Sequence, residues 1–369
     1  MKDFILNYAG AELKDIAGAV IEGKRLTPGE ALTLYRSADL SLMGLLATTV
    51  KRMRSSDAVF FNRNFHIEPT NICIYNCRFC SYHKPEGDAD SWELTETEIL
   101  DIVRRFEGVP VTEVHITGGV HPSRDIHYYG KILAAIRSLR PDISIKAFSA
   151  VELDYMIRKA GMSYTDGIRL LRDYGLDSIP GGGAEIFDPV LRNRICREKA
   201  DAETYLAIHE AAHSLGLTSN ATMLYGHAES PEQRLDHMLR LRDLQDRTGG
   251  FNAFIPLKFR RENNRMHEIG EVPVTEDMRN YALSRIFLDN FSHIKAYWPA
   301  IGKNSALMSL AYGADDLDGT IDDTTRIYSM AGSEEDRPAL STTELVAMIR
   351  SAGFRPVERD TNYRTIKEW

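Results

Sequence analysis

From about residue 64 the chain alternates short apolar runs with longer amphipathic stretches. The apolar runs have the length of buried β-strands, and the amphipathic stretches repeat their apolar positions with the period of a helix. The runs predict strands at 65–70, 112–117, 143–148, 177–180, 218–224, 252–256, 292–297 and 313–318. Helices are predicted between them, at 95–106, 126–139, 152–174, 201–215, 231–247, 275–289 and 303–311.

This order of elements indicates the fold class. Strands that alternate with helices form right-handed βαβ units and a parallel sheet. Seven or eight such units in one chain favour an α/β fold of the (β/α)8 or TIM-type barrel kind over an open, doubly wound sheet. Catalytic groups in such barrels follow the carboxyl ends of the strands. We therefore expect the chemically active side chains just after the predicted strands.

Two flanking segments lack this alternation. Residues 1–56 have helical patterns throughout, with Thr27 as a helix cap and Pro28 in the first helical position. A further helix is predicted at 342–352, followed by a final short strand. We expect three parts, an N-terminal helical segment at 1–60, the barrel at 61–325 and a C-terminal extension packed on the barrel at 326–369.

Composition and charge narrow the function classes. The 369 residues suit one large barrel with extensions. Hydrophobic residues make up 43% and charged residues 27%, the balance of a folded globular protein. The formal net charge of −8 without a basic block argues against general nucleic-acid binding. Because the sequence shows neither a signal peptide nor an apolar run of about 20 residues, we expect a cytoplasmic protein that does not enter the membrane.

Three of the four cysteines lie close together on the loop after the first predicted strand. The spacing Cys73-x3-Cys77-x2-Cys80 lets three thiolates bind three irons of a [4Fe–4S] cluster and leaves the fourth iron open for a small molecule. Zinc is the alternative, because structural zinc needs four ligands and His83 can supply the fourth. Cys196 lies far along the chain, and we expect it to be an ordinary packed thiol.

The cysteine loop, with the aromatic Phe79 before its last cysteine, resembles that of the radical S-adenosylmethionine superfamily. The resemblance implies a [4Fe–4S] cluster whose open iron binds the amino and carboxylate groups of S-adenosylmethionine. It also implies a one-electron reductant, such as flavodoxin or ferredoxin, which drives the release of methionine and a 5′-deoxyadenosyl radical. The cofactor carries this chemistry, and the protein positions it and excludes water.

Other positions after the predicted strands are similar to the cofactor motifs of that superfamily. Gly118 and Gly119 resemble the Gly-Gly-Glu motif, whose exposed backbone receives the methionyl amino group, although Val120 replaces the glutamate.

The resemblance also implies ribose contacts for Ser149 and Glu152. The remaining contacts that it implies are Phe79, Glu185 beside the cofactor, Arg192 at the methionyl carboxylate and Glu229 at the adenine side. Surface ion pairing is the alternative for Ser149, Glu152 and Arg192.

Residues 64–320 resemble one branch of the superfamily more closely, which contains menaquinone-pathway and deazaflavin-synthesis enzymes. The similar segments are 66–71, 179–186, 220–227 and 245–256. Within the branch, 112–119 and 146–152 are most similar to the aminofutalosine synthases. That resemblance implies addition of the adenosyl radical to 3-[(1-carboxyvinyl)oxy]benzoate, with S-adenosylmethionine consumed as a co-substrate. The implied products are 6-amino-6-deoxyfutalosine, methionine and bicarbonate, in menaquinone biosynthesis.

The small-molecule substrate implied by this resemblance carries two carboxylates. Cationic and amide donors are therefore expected at the barrel mouth, and a local basic mouth is compatible with a negative net charge. Asn220 lies in the fifth strand, and Lys258 and Arg260 follow the sixth. We expect these three residues to bind the substrate together with Tyr225 and His227. A solvated loop is the alternative for the two cationic residues.

Other functions remain open from the sequence. Two belong to the same superfamily, the cyclic dehypoxanthinyl futalosine synthases, in which the radical abstracts hydrogen, and the deazaflavin-type reaction on tyrosine. A zinc hydrolase is a third, because His209-Glu210-Ala211-Ala212-His213 matches the His-Glu-x-x-His pattern, but its helix is expected in the outer ring. A non-catalytic iron–sulfur carrier is a fourth, although carriers usually use four cysteine ligands and need no large barrel.

Overall fold

The N-terminal part of the molecule is helical, as its sequence predicts. The computed structural model describes residues 2–320, 326–333 and 338–369. The Thr27 side chain accepts a hydrogen bond from the Glu30 backbone and so begins a helix with proline in its first turn. The four helices of this part are α1 (Lys2–Tyr8), α2 (Gly10–Ile21), α3 (Pro28–Ser37) and α4 (Leu40–Ser55).

Eight parallel strands form a barrel, which confirms the predicted fold. Each of the first six strands pairs with the next one along the chain, and the eighth pairs with the first, where Phe60 lies opposite Asp316. Beside the seventh strand, a parallel bridge joins Lys295 to Asp316. The strands are β1 (Ala58–Ile67), β2 (Glu113–Ile116), β3 (Ser144–Ala147), β4 (Ser178–Ile179), β5 (Thr218–Tyr225), β6 (Phe251–Lys258), β7 (His293–Ile294) and β8 (Asp316–Thr320).

Helices connect the strands and form the outer ring. The single helix predicted at 152–174 is wrong, because the chain turns at Gly161 with a φ of +67° and Ser163 caps a second helix. The helices are α5 (Glu96–Arg104), α6 (Ile126–Leu139), α7 (Ala150–Lys159), α8 (Tyr164–Asp173), α9 (Pro189–Ile195), α10 (Ala202–Ser214), α11 (Pro231–Thr248), α12 (Val274–Phe287), α13 (Trp298–Ile301) and α14 (Lys303–Ser309). None of the helices in the described residues is long and apolar enough to cross a membrane.

The C-terminal part extends the sheet beside the start of β1. The helix predicted at 342–352 is present as α15 (Thr342–Ser351). Next, β9 (Arg355–Arg359) pairs in parallel with β1, which therefore begins earlier than predicted, and β10 (Thr365–Glu368) pairs antiparallel with β9. The domain boundary predicted after residue 325 falls at the edge of a segment outside the described residues.

The barrel strands place apolar side chains outward and polar side chains inward. In β2, Val114 and Ile116 are buried in the hydrophobic core, whereas Glu113 and His115 face a cavity inside the barrel. Lys146 of β3 forms an ion pair of 2.6 Å with Glu113 in this interior. Charged and polar side chains of the strands therefore face the barrel interior, while the apolar core lies between the strands and the ring of helices.

Candidate active site

A cavity of about 290 Å³ opens at the carboxyl ends of the barrel strands. Residues that follow β1, β2, β3, β4 and β6 line its rim, and inward-facing residues of the strands line its floor. Barrel enzymes carry their active sites at this end. The rim includes Phe79, Cys80, Gly118, Ser149, Glu185, Lys199, Lys258 and Arg260, and the floor includes His66, Glu113, His115, Lys146, Asn220, Thr222, Lys295 and Asp318.

The cysteine loop is held by backbone hydrogen bonds from separate segments of the chain. The N–H of Ile74 donates to the carbonyl of Val120 after β2, at 3.0 Å. The N–H of Arg78 donates to the carbonyl of Ile195 at the end of α9, at 2.8 Å, and the N–H of Arg265 donates to the carbonyl of Arg78, at 2.8 Å. The loop conformation therefore depends on the folded barrel and not on the loop sequence alone.

The three thiols of this loop fit an iron–sulfur cluster. All four cysteines of the chain are free, with Cys77 buried and Cys73 and Cys80 half-buried. Burial raises the pKa of each loop thiol, and the nearby Lys199 ammonium opposes this rise. Within the described residues, no three His, Cys, Asp or Glu side chains converge in the way that ligands of a single metal ion do. The loop thiols suit a cluster instead, because each thiolate then binds a different iron.

Lys199 connects the cysteine loop with the rim of the cavity. Its ammonium pairs with Glu185 at 2.5 Å and lies 5.4 Å from the centre of the Phe79 ring. Glu185 has a φ of +50°, in the left-handed region that side chains rarely adopt. Such strained residues persist where the surrounding structure holds them, and they cluster at functional sites. The pair places a fixed positive charge beside the thiols.

The two glycines after β2 lie against the segment that leads into the cysteine loop. A Cβ on Gly118 would lie 2.8 Å from the carbonyl oxygen of Thr70. A Cβ on Gly119 would lie 2.2 Å from the carbonyl oxygen of Ile72. Both positions therefore require glycine, because the two backbone segments approach each other too closely for any side chain. Gly118 also lines the cavity, as the predicted contact with the cofactor requires.

The Glu152 carboxylate, which lies outside the cavity lining, holds the glycine turn after β2 in place by hydrogen bonds. It accepts hydrogen bonds from the Thr117 hydroxyl (3.0 Å), the Gly118 N–H (3.1 Å) and the Ser149 N–H (2.7 Å). Ser149 caps α7 and lines the cavity, whereas Glu152 does not line it. The ribose contacts that the sequence implies for these two residues stay predictions. The hydrogen bonds of Glu152 give it a positioning role for the glycine turn.

Two further predicted cofactor residues lie behind the cavity wall. The Arg192 guanidinium donates to three backbone carbonyls between residues 184 and 200 and does not line the main cavity. Glu229 accepts hydrogen bonds from the Gly226 N–H at 2.6 Å and from Arg234 at 2.8 Å, and it also lies outside the lining. In this structure these residues shape the turns after β4 and β5, and a direct contact with the cofactor stays a prediction.

The residues predicted to bind substrate lie in two environments. Those that line the cavity are Asn220, Lys258 and Arg260. Tyr225 and His227 do not line it. The Lys258 ammonium donates to Asp277 at 2.8 Å, and the Tyr225 hydroxyl donates to the same carboxylate at 2.8 Å. Lys258 therefore already has a carboxylate partner inside the protein, and Tyr225 helps to hold that partner in place.

The floor of the cavity holds charged residues that the sequence analysis did not assign to the site. Lys146 pairs with Glu113 at 2.6 Å, and Lys295 pairs with Asp318 at 2.5 Å. Burial alone would raise the pKa of Glu113, but the two lysines and Arg359 lower it to about 2. Alternating polar residues in a predicted barrel strand are the signal that could have identified this floor.

Two histidines lie beside these ion pairs. The rings of His66 and His115 are 4.4 Å apart between their centres. Burial lowers the pKa of His66 to about 4 and that of His115 well below its usual range, so both rings are neutral near pH 7. The Nε2 atom of His115 is buried and has no hydrogen-bond partner in the described part of the chain. A ligand in the cavity can supply that partner.

The His-Glu-x-x-His pattern lies on α10 in the outer ring, where the sequence analysis expects it. The Nδ1 atom of His209 and the Nε2 atom of His213 both lie 2.8 Å from the Ser219 hydroxyl. The Phe251 ring packs against both imidazoles. The two histidines therefore take part in the interface between helix and strand, away from the main cavity.

We expect His213→Ala to lower the stability of the protein without changing its zinc content. The substitution removes the hydrogen bonds of His213 to the Thr248 and Ser219 hydroxyls, of which Ser219 keeps its contact with His209, and it costs about 1–3 kcal/mol of unfolding free energy. Chemical denaturation and elemental analysis measure the two quantities. The control is Glu210→Ala on the exposed side of α10, with an expected change below about 0.5 kcal/mol. The expectation would be contradicted if the parent protein contained about one zinc per chain and His213→Ala contained none.

Two family models match the chain. The radical SAM superfamily model matches residues 67–241, which include the cysteine loop, the glycine turn and most of the cavity floor. The model named CofH/MqnC C-terminal region matches residues 248–369, from the start of β6 to the end of the chain. Together the two models cover nearly all of the barrel and the C-terminal part.

Known proteins are similar over almost the whole length. Aminodeoxyfutalosine synthase of Thermus thermophilus is 41% identical, with 96% of each chain covered. Cyclic dehypoxanthine futalosine synthase of Streptomyces coelicolor is 37% identical, over 96% of this chain and 88% of its own length. Among solved structures, methylornithine synthase superposes with a TM-score of 0.75 at 16% identity, covering 92% of this chain and 96% of its own. The structural likeness supports the barrel fold, and the sequence likeness extends to the site.

Proposed function

Because the chain belongs to the radical S-adenosylmethionine superfamily, we propose that it joins the adenosyl group of S-adenosylmethionine to 3-[(1-carboxyvinyl)oxy]benzoate. The products are 6-amino-6-deoxyfutalosine, methionine and bicarbonate, and the reaction is a step of menaquinone biosynthesis. The observation that carries this proposal is the full-length similarity to aminodeoxyfutalosine synthase. S-Adenosylmethionine is then a co-substrate, because its adenosyl carbons enter the product.

The cysteine loop forms the side of the cavity at which the cluster is expected to bind. In this proposal Cys73, Cys77 and Cys80 hold three irons of the [4Fe–4S] cluster, which supplies the electron that cleaves S-adenosylmethionine when it is bound. Lys199 offsets the negative charge of the thiolates, and its pairing with Glu185 keeps the ammonium in position. The support for this assignment is that one loop carries all three thiols and that Cys80 lines the main cavity.

The rim above the floor holds S-adenosylmethionine. The open backbone of Gly118 and Gly119 receives the methionyl amino group, and Ser149 contacts the ribose. Phe79 and Glu185 flank the same space. Four of these five residues line the cavity on the side of Cys80, and Gly119 holds the turn against the cysteine loop. This arrangement supports binding of the cofactor between the cysteine loop and the barrel interior.

The floor of the cavity binds the second substrate. That substrate carries two carboxylates, and the floor offers the ammonium groups of Lys146 and Lys295 and the amide of Asn220. Buried carboxylates hold both lysines in place, so the donors need no reorganisation when the substrate arrives. The neutral His115 offers a further nitrogen. A chamber enclosed in this way keeps a radical away from water and stray hydrogen donors.

We also propose a cytoplasmic location and a small electron-carrier protein as the reductant. The four free thiols support a reducing compartment. Flavodoxin and ferredoxin are the carriers that provide single electrons at the low potentials that such clusters require.

The fate of the adenosyl group tests the proposed reaction. Addition requires the radical carbon near the enolpyruvyl carbon, at a separation of about 3–3.5 Å, and needs no hydrogen donor beside C5′. With S-adenosylmethionine labelled at C5′ and the enolpyruvyl benzoate under anaerobic conditions, we expect the label in the futalosine-type product. Product masses and methionine release measure the incorporation, and the two should rise in step.

The same assay separates the sibling reactions. A hydrogen-abstracting enzyme, such as cyclic dehypoxanthine futalosine synthase, would return the label chiefly as free 5′-deoxyadenosine. Assays with dehypoxanthine futalosine and with tyrosine, under otherwise identical conditions, serve as substrate controls. Recovery of the label mainly as 5′-deoxyadenosine, together with conversion of one of these control substrates, would contradict the proposed function.

A further inference from the structure

A basic patch surrounds the outer side of the cysteine loop. It consists of Arg78 from the loop, Arg194 and Arg197 from α9 and the turn after it, and Arg265 from the segment between β6 and α12. These four arginines line a second cavity of about 230 Å³, whose wall includes Cys77. None of them lines the main cavity. The basic patch therefore gives access to Cys77 from outside the substrate chamber.

The arginines of the basic patch are available to a partner. Arg194, Arg197 and Arg265 are exposed, and the Arg78 side chain keeps 42% of its accessible surface. In the described part of the chain, the side chains of Arg194 and Arg197 form no hydrogen bond and no ion pair. Surface arginines without an internal partner retain their full charge for an interaction across an interface.

The local charge is opposite to that of the whole molecule. The chain has a formal net charge of −8. Around the second cavity, Lys199 is paired with Glu185, and the four arginines outnumber the acidic residues Glu198, which lines the cavity, and Glu268, which lies 3.7 Å from Arg78. A positive patch on a negative protein attracts an acidic partner to one place and repels it elsewhere.

The same segments also expose apolar side chains. Ile74 of the cysteine loop is 38% exposed, and Val190 of α9 is 70% exposed. Protein interfaces combine apolar contacts with charged residues that guide the encounter. This combination fits a protein surface better than a small anion, which would need only the charges.

The basic patch is attached directly to the cysteine loop. The Arg78 N–H donates to the carbonyl of Ile195, and the Arg265 N–H donates to the carbonyl of Arg78, each at 2.8 Å. The Arg265 guanidinium also donates to the carbonyl of Asn76 within the loop. The positions of the arginines relative to Cys77 are therefore set by the backbone, which favours one orientation of a docked partner.

We propose that the basic patch docks an acidic one-electron carrier protein of the flavodoxin or ferredoxin type, and that the electron enters on the side of Cys77. The reduced carrier loses one electron, and the cluster that the family binds gains it. The inference rests on membership of the superfamily and not on the identity of the second substrate. Its test therefore omits that substrate, so that it can fail independently of the proposed function.

The test uses the reconstituted enzyme and a charge-reversed pair of arginines. In Arg194→Glu with Arg197→Glu, both side chains are exposed and unpaired, so the change removes charge without breaking an internal contact. The matched control is Arg105→Glu with Arg350→Glu, which carries the same charge change. Arg105 and Arg350 are exposed at the ends of α5 and α15, on the face of the barrel where the strands begin.

Three measurements are made on each protein. The first is the affinity for oxidised flavodoxin and for oxidised ferredoxin, by calorimetry at low and at high salt, which requires no turnover. The second is the rate at which the reduced carrier bleaches the cluster absorbance. The third is the rate of the same bleaching with dithionite, together with the iron content. The neutral pair Arg194→Gln with Arg197→Gln replaces the reversed pair if the latter retains less iron than the parent.

The expected result is specific to the basic patch. The reversed pair should lose at least about tenfold in affinity and in the rate of reduction by the carrier, and the neutral pair should lose less. Salt should weaken binding of the parent more than binding of the variants. Dithionite reduction and the control pair should stay within about twofold of the parent. Three results overturn the proposal: no salt-sensitive binding of either carrier to the parent, equal losses in the control pair, or unchanged carrier affinity in both patch variants.

Discussion

Replacement of Cys73, Cys77 or Cys80 by Ala is expected to abolish cluster binding and all cleavage of S-adenosylmethionine, whereas Cys196→Ala should keep both. Each loop thiolate is expected to hold a different iron, so the loss of one leaves an iron without its protein ligand. Cys196 is a stringent control, because its thiol is also buried and lines the same outer cavity as Cys77. If nearness to the loop were enough for a role in ligation, Cys196 would share the effect.

The measurement is iron and sulfide per chain after anaerobic reconstitution, with visible absorption as a second readout. Dithionite-driven release of methionine gives the activity without a carrier protein. Circular dichroism of the unreconstituted variants shows whether the barrel itself has folded. Retention of a full cluster in Cys77→Ala, or its loss in Cys196→Ala, would falsify the assignment of the ligands.

Most of the fold was predictable because its signals are local. The outward residues of a barrel strand, such as Val114 and Ile116, pack on helices whatever the sequence elsewhere, so an apolar run marks the strand. The short helix α9 was missed because it spans two turns and shows no full apolar period. Its signals were present, since Asp188 caps it and Pro189 occupies its first turn.

The rim of the site was also predictable, because its residues belong to short motifs. Cys80, Gly118, Ser149 and Glu185 follow predicted strands and line the cavity. The resemblance implies a contact of Arg192 with the methionyl carboxylate, which stays a prediction, and the structure adds that its guanidinium donates to backbone carbonyls that come together only in the folded turn. The partner of a buried cation depends on tertiary contacts that a sequence pattern does not contain.

The floor was predictable only in part: alternating polar positions mark the inward faces of the strands, but which charged side chains meet there depends on closure of the barrel. Lys146 comes from β3 and Lys295 follows β7, far apart in the chain. Their ammonium groups face one chamber only because β8 pairs with β1 and thereby closes the ring. Asp318 adds a local feature that no pattern indicates, a φ of +65° at the residue that pairs with Lys295.

Gly119→Ala is expected to remove most of the cluster and to reduce cleavage of S-adenosylmethionine by about a hundredfold or more. The new Cβ would lie 2.2 Å from the carbonyl oxygen of Ile72, 2.7 Å from its carbonyl carbon and 3.0 Å from that of Asn71. All three are backbone atoms of the segment that enters Cys73, so no side chain can rotate away to relieve the clash. The cysteine loop must move, and a displacement of about 1 Å in a catalytic group can cost about a hundredfold in rate.

The same clash costs stability, by about 1–3 kcal/mol for an overpacked site, which is too little to unfold most proteins. The small loss of stability can therefore be distinguished from the large loss of cluster and activity. Chemical denaturation should show that Gly119→Ala is folded, while its iron content and methionine release fall. Gly182→Ala is the matched control at the same rim, because its Cβ would meet only the Ser149 Cβ, at an ordinary 3.4 Å. It should retain the iron of the parent. If Gly119→Ala keeps a full cluster and parental cleavage, the glycine turn does not fix the cysteine loop, and the contact between β2 and the loop has no part in placing the thiols.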